Sequence, residues 1–357
     1  MSRIICAFVL FFTVMNCFSQ NIPKNIEEHI YQSIEGFPEN TQLSFCFINK
    51  GESQFFGLLK KDSLWQSVDN RDSIFEIGSI SKVFTSVLFA KAVSEGDVGL
   101  DTPLDEVLGY PLKNDKTITL MQLSNHTSGL GRMPMNLGEA FAKDPFNPYK
   151  YYNKEHLKEW LTKSMRDSLN QETVEYSNLG AGVLGHAMAT LYKKPYEELV
   201  QEKIFEPLEM KNSSTIIDEV EDKLIHGRTG NGEVTPHWEF DVLGGAGAIF
   251  SSTQDLEKFA QLFFSGKDEA IELTKVPTVM DTENLEIGLA WHIIHSKNGE
   301  KYYWHNGGTG GFTSSMLLNP TTKSGIIVLS NVSAISNPNT GNIDGISFDW
   351  ASKEPEK

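Results

Sequence analysis

Cysteine is scarce in this chain of 357 residues: there are three, Cys6, Cys17 and Cys46. The first two fall in the N-terminal stretch MSRIICAFVLFFTVMNCFSQ, where one cation, Arg3, precedes an apolar run and then small or polar residues. That order is the pattern of a secretory leader, and Cys17 and Ser19 are the small residues wanted before a cut after Ser19. Residues 1–19 are therefore expected to be removed, with acylation of Cys17 as a lipoprotein the alternative. A mature product with Cys46 alone has no internal disulfide, so its core must hold it together. Cys46 lies in LSFCFI, an apolar strand-like run that predicts a buried, inert thiol.

Long apolar runs are missing as well. The leader's run is shorter than the roughly 18–20 residues a membrane span needs, so no span is expected. Basic charge is in deficit, 31 Lys and Arg against 47 Asp and Glu, for a net charge of -16. Such an acidic product argues against nucleic acid or an anionic membrane surface as partner. There is no internal repeat, low-complexity tract or long charge run, and no His, Cys or Asp spacing typical of a metal site. The mature length fits one large domain or two interleaved lobes.

What is present is organised around FEIGSISKVFTSVLFAK, residues 75–91. Ser79 and Lys82 sit three apart at the start of a helical pattern, so one turn stacks the lysine beside the hydroxyl. An unassisted serine is a poor nucleophile, and a base within hydrogen-bond reach is what makes covalent catalysis by it possible. Gly78 lets the chain turn sharply into the helix, whose first amides then face anything bound to Ser79. The pattern before and after this stretch is uneven. An amphipathic helix is predicted over Pro23–Gly36, with Ile26, Ile30 and Ile34 on one face, followed by two strands around a Lys50–Ser53 turn. Helical patterns fill the middle, including TITLMQLSNHTSGLG stopping at Gly129, Lys154–Lys163, Gly180–Leu191 and Tyr196–Ile204. Ser252 to Asp255 reads as a capping box. From about Ile287 the chain turns to strands: IGLAWHIIH, KYYWHNG, FTSSMLLNP and SGIIVLSN. Strands at both ends with helices between predict one sheet built from both termini, about 20–78 and 285–357, with a helical insertion over about 79–284. The site is expected between these lobes.

Two further segments carry chemistry. Tyr176 and Asn178 are two apart in a turn before a helix; a phenol near its ordinary pKa of about 10 acts as a base at neutral pH only beside cations such as Lys82. Asn178 offers a donor and an acceptor for a substrate amide. Tyr151–Asn153 repeats the same Y-x-N spacing but lies in a polar stretch without the turn-to-helix context. In YYWHNGGTGGF, His305, Asn306 and Gly307 close a strand, and the glycines after them let a substrate approach the backbone. His126, in NHTSGL, reads as a histidine ordering a helix-end turn.

Ser79-Ile80-Ser81-Lys82, Tyr176-Ser177-Asn178 and His305-Asn306-Gly307 together resemble the motifs of the penicillin-recognising serine hydrolases related to class C beta-lactamases. LDTPLDEVL, IFEPLEM, GAGAIFSSTQDLEKFA and GIIVLSNVS extend the resemblance over nearly the whole mature chain. It implies an α+β fold of the beta-lactamase and transpeptidase type, a mainly antiparallel sheet flanked by helices with an all-helical lobe. It implies Ser79 as the acylated nucleophile, Lys82 and Tyr176 as proton carriers, Asn178 as the residue orienting the substrate, and the amides of Ser79 and Gly308 as the oxyanion hole. His305, Gly307 and Asn331 are expected beside the substrate. No metal and no organic cofactor is implied, and the partner is a small-molecule or peptide substrate. Class C beta-lactamases have lysine where this chain has His305, which resembles the DD-carboxypeptidase, D-aminopeptidase and esterase branches. Histidine is mostly neutral above a pKa near 6.5, so a partly exposed His305 is expected to hold a substrate carboxylate only at lower pH. The expected activity is a secreted or periplasmic serine hydrolase acting on a D-alanyl peptide, beta-lactam or acyl ester; a true beta-lactamase, or a non-enzymatic receptor for cell-wall peptides, is the alternative.

Overall fold

Two stretches far apart in sequence, QLSFCFIN and SGIIVLS, pair edge to edge as β1 (Gln42–Asn49) and β11 (Ser324–Ser330), from Leu43 opposite Ser330 to Ile48 opposite Gly325. The structure, a computed structural model, describes residues 24–296, 299–333 and 343–352; the leader, residues 1–19, lies outside the described residues. Around the β1–β11 pair a nine-stranded antiparallel sheet is built in the order β3-β2-β1-β11-β10-β9-β8-β7-β6. Its other members are β2 (Glu52–Lys61), β3 (Leu64–Val68), β6 (Val279–Thr282), β7 (Leu285–Ile287), β8 (His292–His295), β9 (Lys301–Gly308) and β10 (Thr313–Asn319). The sheet is made from both ends of the chain, as the sequence predicts, and it takes in β6 ahead of the boundary expected near residue 285. A two-residue pair, β4 (Phe75–Glu76) with β5 (Phe250–Ser251), lies outside it.

The central strands β1, β10 and β11 are buried at nearly every position, because both faces of the sheet are covered. Alternate side chains then go to opposite cores. Leu43, Phe45 and Phe47 of β1, with Ile326 and Val328 of β11, pack under α1 (Lys24–Ser33) and α11 (Ile343–Ser352), through Ile26, Ile30, Ile34, Ile343, Ile346 and Trp350. Cys46 and Ile48, with Ile327 and Leu329, face the larger core. Cys46 is buried and unpaired, and burial pushes its thiol pKa well up, which makes it the inert thiol expected.

At the centre of that larger core runs α2 (Ser81–Ser94), buried from Ser81 through Ala90 and therefore lacking the polar face of a surface helix. Around it pack α4 (Leu120–Ser124), α7 (Asn178–Tyr192), α8 (Tyr196–Val200) and α10 (Glu269–Thr274), while α9 (Thr253–Ser265) lies on β1 and β11. Three shorter helices, α3 (Leu104–Leu108), α5 (Gly138–Lys143) and α6 (Lys154–Glu159), complete the α-helices among the described residues. Helix α4 ends at Ser124 rather than running to Gly129, because His126 takes a left-handed backbone conformation, φ 66°. Ser252 does cap α9, accepting from the Asp255 amide at 3.2 Å, but the Asp255 carboxylate turns instead to Asn212 N and Ser213 Oγ. Helices α3, α5, α10 and α11 and strands β3, β4, β5 and β6 have no counterpart among the elements the sequence predicts. Among the described residues no helix is long and apolar enough to cross a membrane.

Candidate active site

The chain enters the site through β4, and Ile77 N donates to Ile249 O at 3.1 Å, holding the next turn against the glycine-rich stretch 244–248. Ser79 lies in that turn, a 3₁₀ turn over Gly78–Ile80 that leads directly into α2. Lys82, one residue into the helix, brings Nζ to 2.8 Å from Ser79 Oγ and donates to Ala246 O at 2.7 Å. Ser81 is spent structurally, accepting from Ile249 N at 3.1 Å. Lys82 is 1 % exposed and, among the described residues, is paired with no carboxylate. Burial, with Arg132 adding like charge, holds its pKa well below that of a free lysine.

Strand β9 closes the other side. Gly307 is demanded by contact: a Cβ there would stand 2.0 Å from Ile77 O and 2.9 Å from Ser79 N. The strand can press against the serine turn only without a side chain, and this brings Gly308 to the cleft beside Ser79. Gly307→Ala is expected to lower stability by about 1–3 kcal/mol through overpacking. Reaction of Ser79 with a fluorophosphonate should slow by about a hundredfold or more because the turn must move. A thermal melt and the rate of that reaction on the same preparation check both.

Tyr176 precedes α7, whose cap is Ser177: its Oγ accepts from Gly180 N at 2.7 Å and donates to Gly131 O at 2.6 Å. His126 clamps the turn from below, its carbonyl accepting from Glu175 N at 2.8 Å and its Nδ1 from Ser177 N at 3.2 Å. This is the turn-ordering role its place in the sequence suggests. The Tyr176 ring has the Lys82 nitrogen 5.0 Å and the Arg132 guanidinium 5.2 Å from its centroid. Even so, burial pushes its pKa up to about 12, against smaller opposing effects from the Ser79 hydroxyl and Arg132. A phenolate sustained by Lys82 is not what the geometry favours; the lysine is the group held toward its neutral form.

Asn178 donates through Nδ2 to Tyr149 Oη at 3.0 Å, and its Oδ1 is buried without a partner. The competing Y-x-N is structural: Asn153 caps α6, accepting from His156 N at 3.1 Å, Tyr152 is buried against Asn136, and Tyr151 is exposed. Ser79, Asn178 and Gly308 share one cleft with Gly78, Ala246, Gly247 and Thr309, and with three aromatic side chains, Tyr149, Trp238 and Phe240. Tyr149 stacks on Phe240 with ring centroids 4.4 Å apart. These rings come from two loops, 131–152 and 229–241, and the sequence motifs do not mark them; large aromatics in otherwise polar loops are the signal that could have found them. The space between these residues is about 210 Å³, part of it open to solvent.

Three sequence expectations do not hold. Gly307 is buried against Ile77 O and does not itself line the cleft; that place is taken by Gly308. His305 is fully buried, not partly exposed, and it does not line the cleft. Its Nδ1 donates to Asn306 O at 2.7 Å, and its ring lies behind Tyr176, 6.2 Å between centroids, and 5.4 Å from His292. Burial, with His292 and Lys82 nearby, holds its pKa well below 6.5, so it is neutral across the neutral range. Asn331 is likewise absent from the cleft: its Oδ1 accepts from Gln42 N at 2.7 Å and its Nδ2 donates to His226 O at 2.9 Å, pinning the end of β11 to the start of β1.

The buried histidines have a consequence for acid stability. His126 and His305 both have folded-state pKa values well below 6.5, chiefly through burial. As pH falls through about 6.5 the unfolded chain takes up protons that the folded chain refuses, so stability present above that pH is lost below it. Each histidine contributes a slope of up to about 1.4 kcal/mol per pH unit. The melting temperature should therefore drop between about pH 6.5 and 5, and less steeply in His305→Asn.

The nine-stranded sheet, the helices around α2 and a serine–lysine pair at the start of that helix define a protein of the beta-lactamase and transpeptidase fold. The family model described as Beta-lactamase matches residues 42–342, and the chain belongs to that family, whose members are serine hydrolases of the beta-lactamase and DD-peptidase type. Among curated relatives, "D-alanyl-D-alanine-carboxypeptidase/endopeptidase AmpH" of Escherichia coli (strain K12) is 26% identical over 281 residues, 72% of this chain and 71% of that protein. "Beta-lactamase-like protein 2" of Dictyostelium discoideum is 27% identical over 225 residues, 60% of this chain but only 40% of that protein. Among solved structures, the octameric penicillin-binding protein homologue from Pyrococcus abyssi superposes with a TM-score of 0.76 at 22% identity, covering 92% of this chain and 76% of that one. A class C beta-lactamase gives 0.75 at 19% identity, covering 94% and 96%. At such identities the structures speak for the fold alone.

Proposed function

We propose that this protein is an exported hydrolase that transfers the acyl group of a small amide or ester to Ser79 and then to water. The observation that carries the reading is Lys82 Nζ, buried, without an acid partner and 2.8 Å from Ser79 Oγ. A lysine held toward its neutral form has a lone pair for the serine proton, and the Ala246 carbonyl takes one of its N–H bonds and so orients it. As Ser79 Oγ attacks the carbonyl carbon, Lys82 takes the proton and the C=O electron pair moves to oxygen. The Ser79 and Gly308 amides are the donors for that oxyanion. Collapse expels the leaving group, which Tyr176, protonated at neutral pH, supplies with a proton that Lys82 replaces. Water then attacks the ester on Ser79 by the same steps reversed. The unpartnered Asn178 Oδ1 accepts an N–H of the substrate beside the scissile bond.

The name of the Escherichia coli relative makes D-alanyl peptides one substrate to try, and residues 1–19 support export to the periplasm or beyond. The test is a screen of a D-alanyl-D-alanine peptide, short acyl esters and a chromogenic cephalosporin. Continued turnover of one of them, lost in Ser79→Ala, is the expected result. One stoichiometric burst with every compound would instead mark a receptor that is acylated and stops.

A further inference from the structure

No side chain lining the slot beside Ser79 carries a charge. An anionic group placed inside it would lose water with no counter-ion to replace it. The neutral His305, turned away behind Tyr176, supplies none. Lys82 is committed to Ser79 and Ala246. Among the described residues the remaining cation beside Tyr176 is Arg132. It is solvent-exposed, its guanidinium carbon lies 5.2 Å from the centroid of the Tyr176 ring, and it makes no ion pair among the described residues. Its neighbour Arg166 contrasts with it, being paired to Glu175 at 3.4 Å.

The backbone that carries Arg132 is fixed on both sides of the residue. Gly131 O accepts from Ser177 Oγ at 2.6 Å, and Arg132 O accepts from Leu179 N at 3.1 Å. Both bonds go to the first turn of α7, the turn that also holds Tyr176 and Asn178, so the guanidinium is built onto the same frame as the catalytic groups. An unpaired arginine held over an aromatic face keeps its planar donor fork open to a carboxylate. It does so on a protein whose net charge of -16 otherwise repels anions.

We infer that Arg132 determines specificity by holding an anionic group of the substrate, a carboxylate carried beside the scissile bond, at the mouth of the cleft, while the uncharged acyl portion enters the aromatic slot. This rests on the acyl-transfer reading above. The cation that reads substrate charge thus comes from the loop after α4, not from β9.

The experiment uses two activated esters that differ only in charge: the phenylacetyl ester of 3-hydroxybenzoic acid and that of methyl 3-hydroxybenzoate. kcat and KM are measured for both in wild type, Arg132→Gln and Arg132→Lys. Arg132 also acts electrostatically on Lys82 and Tyr176, so both esters share whatever change in kcat this causes; the readout is the ratio of the two kcat/KM values. In Arg132→Gln the ratio of acid to methyl ester should fall by about tenfold or more, carried by KM for the acid. Arg132→Lys, which keeps the charge and loses the fork, should fall in between. In wild type the ratio should shrink as ionic strength rises, because the contact is exposed. An active wild type whose ratio is unchanged in Arg132→Gln overturns this inference alone, and so does an equal loss on both esters, which would make Arg132 a residue that only tunes Tyr176 and Lys82. A wild type that hydrolyses neither ester and forms no adduct on Ser79 overturns the acyl-transfer reading and this inference with it.

Discussion

Ser79→Ala should reduce turnover of any accepted substrate by about 10⁴-fold or more, because in the proposed acyl transfer the hydroxyl is the atom that forms the covalent bond and no neighbour is placed to replace it. The nearest alternatives are occupied. Ser81 Oγ accepts from Ile249 N, and Ser177 Oγ bonds Gly131 O and Gly180 N at the cap of α7. Treatment with a fluorophosphonate or a beta-lactam should give one adduct by intact mass in wild type, mapped to the peptide holding Ser79, and none in Ser79→Ala. The fold should persist, since Ser79 is partly exposed and packs little apolar surface. An adduct retained in Ser79→Ala, or found on Ser81 or Ser177, would remove the serine from its assigned role.

What could be read from the sequence was mostly what is local. The three-residue step from Ser79 to Lys82 and the two-residue step from Tyr176 to Asn178 are set by one helical turn and one cap, so spacing alone brings the first pair within 2.8 Å and sets the second at a helix start. The sheet from both chain ends was legible because β1 and β11 are apolar runs bounded by turn residues. Burial of His305 was not legible. Its place in β9 could be read, but which face of β9 meets the core depends on the register with β10, where His305 stands opposite Met316, and on the packing behind Tyr176. A histidine next to a glycine-rich turn reads as exposed until that packing is known. Asn331 misled for the same reason, since its partners Gln42 and His226 are distant in sequence. The aromatic wall of Tyr149, Trp238 and Phe240 is assembled from two loops whose meeting no periodicity foretells. Arg132 gave no signal at all; its meaning comes from what it fails to pair with.

Lys82→Met should separate function from stability more sharply than any other change. In the folded chain Lys82 is held well below its ordinary pKa, so at neutral pH folding costs the lysine its proton or buries its charge. The unfolded chain keeps that proton up to about pH 10.4. Since stability rises with pH wherever the unfolded state binds more protons, the cost imposed by Lys82 is greatest at low and neutral pH and fades as pH approaches that value. Methionine has similar length and no charge. Lys82→Met is therefore expected to melt higher than wild type at pH 7, by on the order of 1 kcal/mol of stability after the loss of the bond to Ala246 O, with the gap closing toward pH 10. Its kcat should fall by about 10²–10⁴-fold, the size of a lost general base. Tyr176→Phe should lose activity over the same range without the gain in stability, since its hydroxyl is neutral in both states at pH 7. Tyr151→Phe, exposed and away from the cleft, should match wild type. In wild type, kcat/KM should rise with pH as Lys82 loses its proton, with no fall attributable to Tyr176 below about pH 12. A Lys82→Met protein no more stable than wild type at pH 7 would mean that Lys82 keeps its charge in the fold, and the base would then have to be found elsewhere.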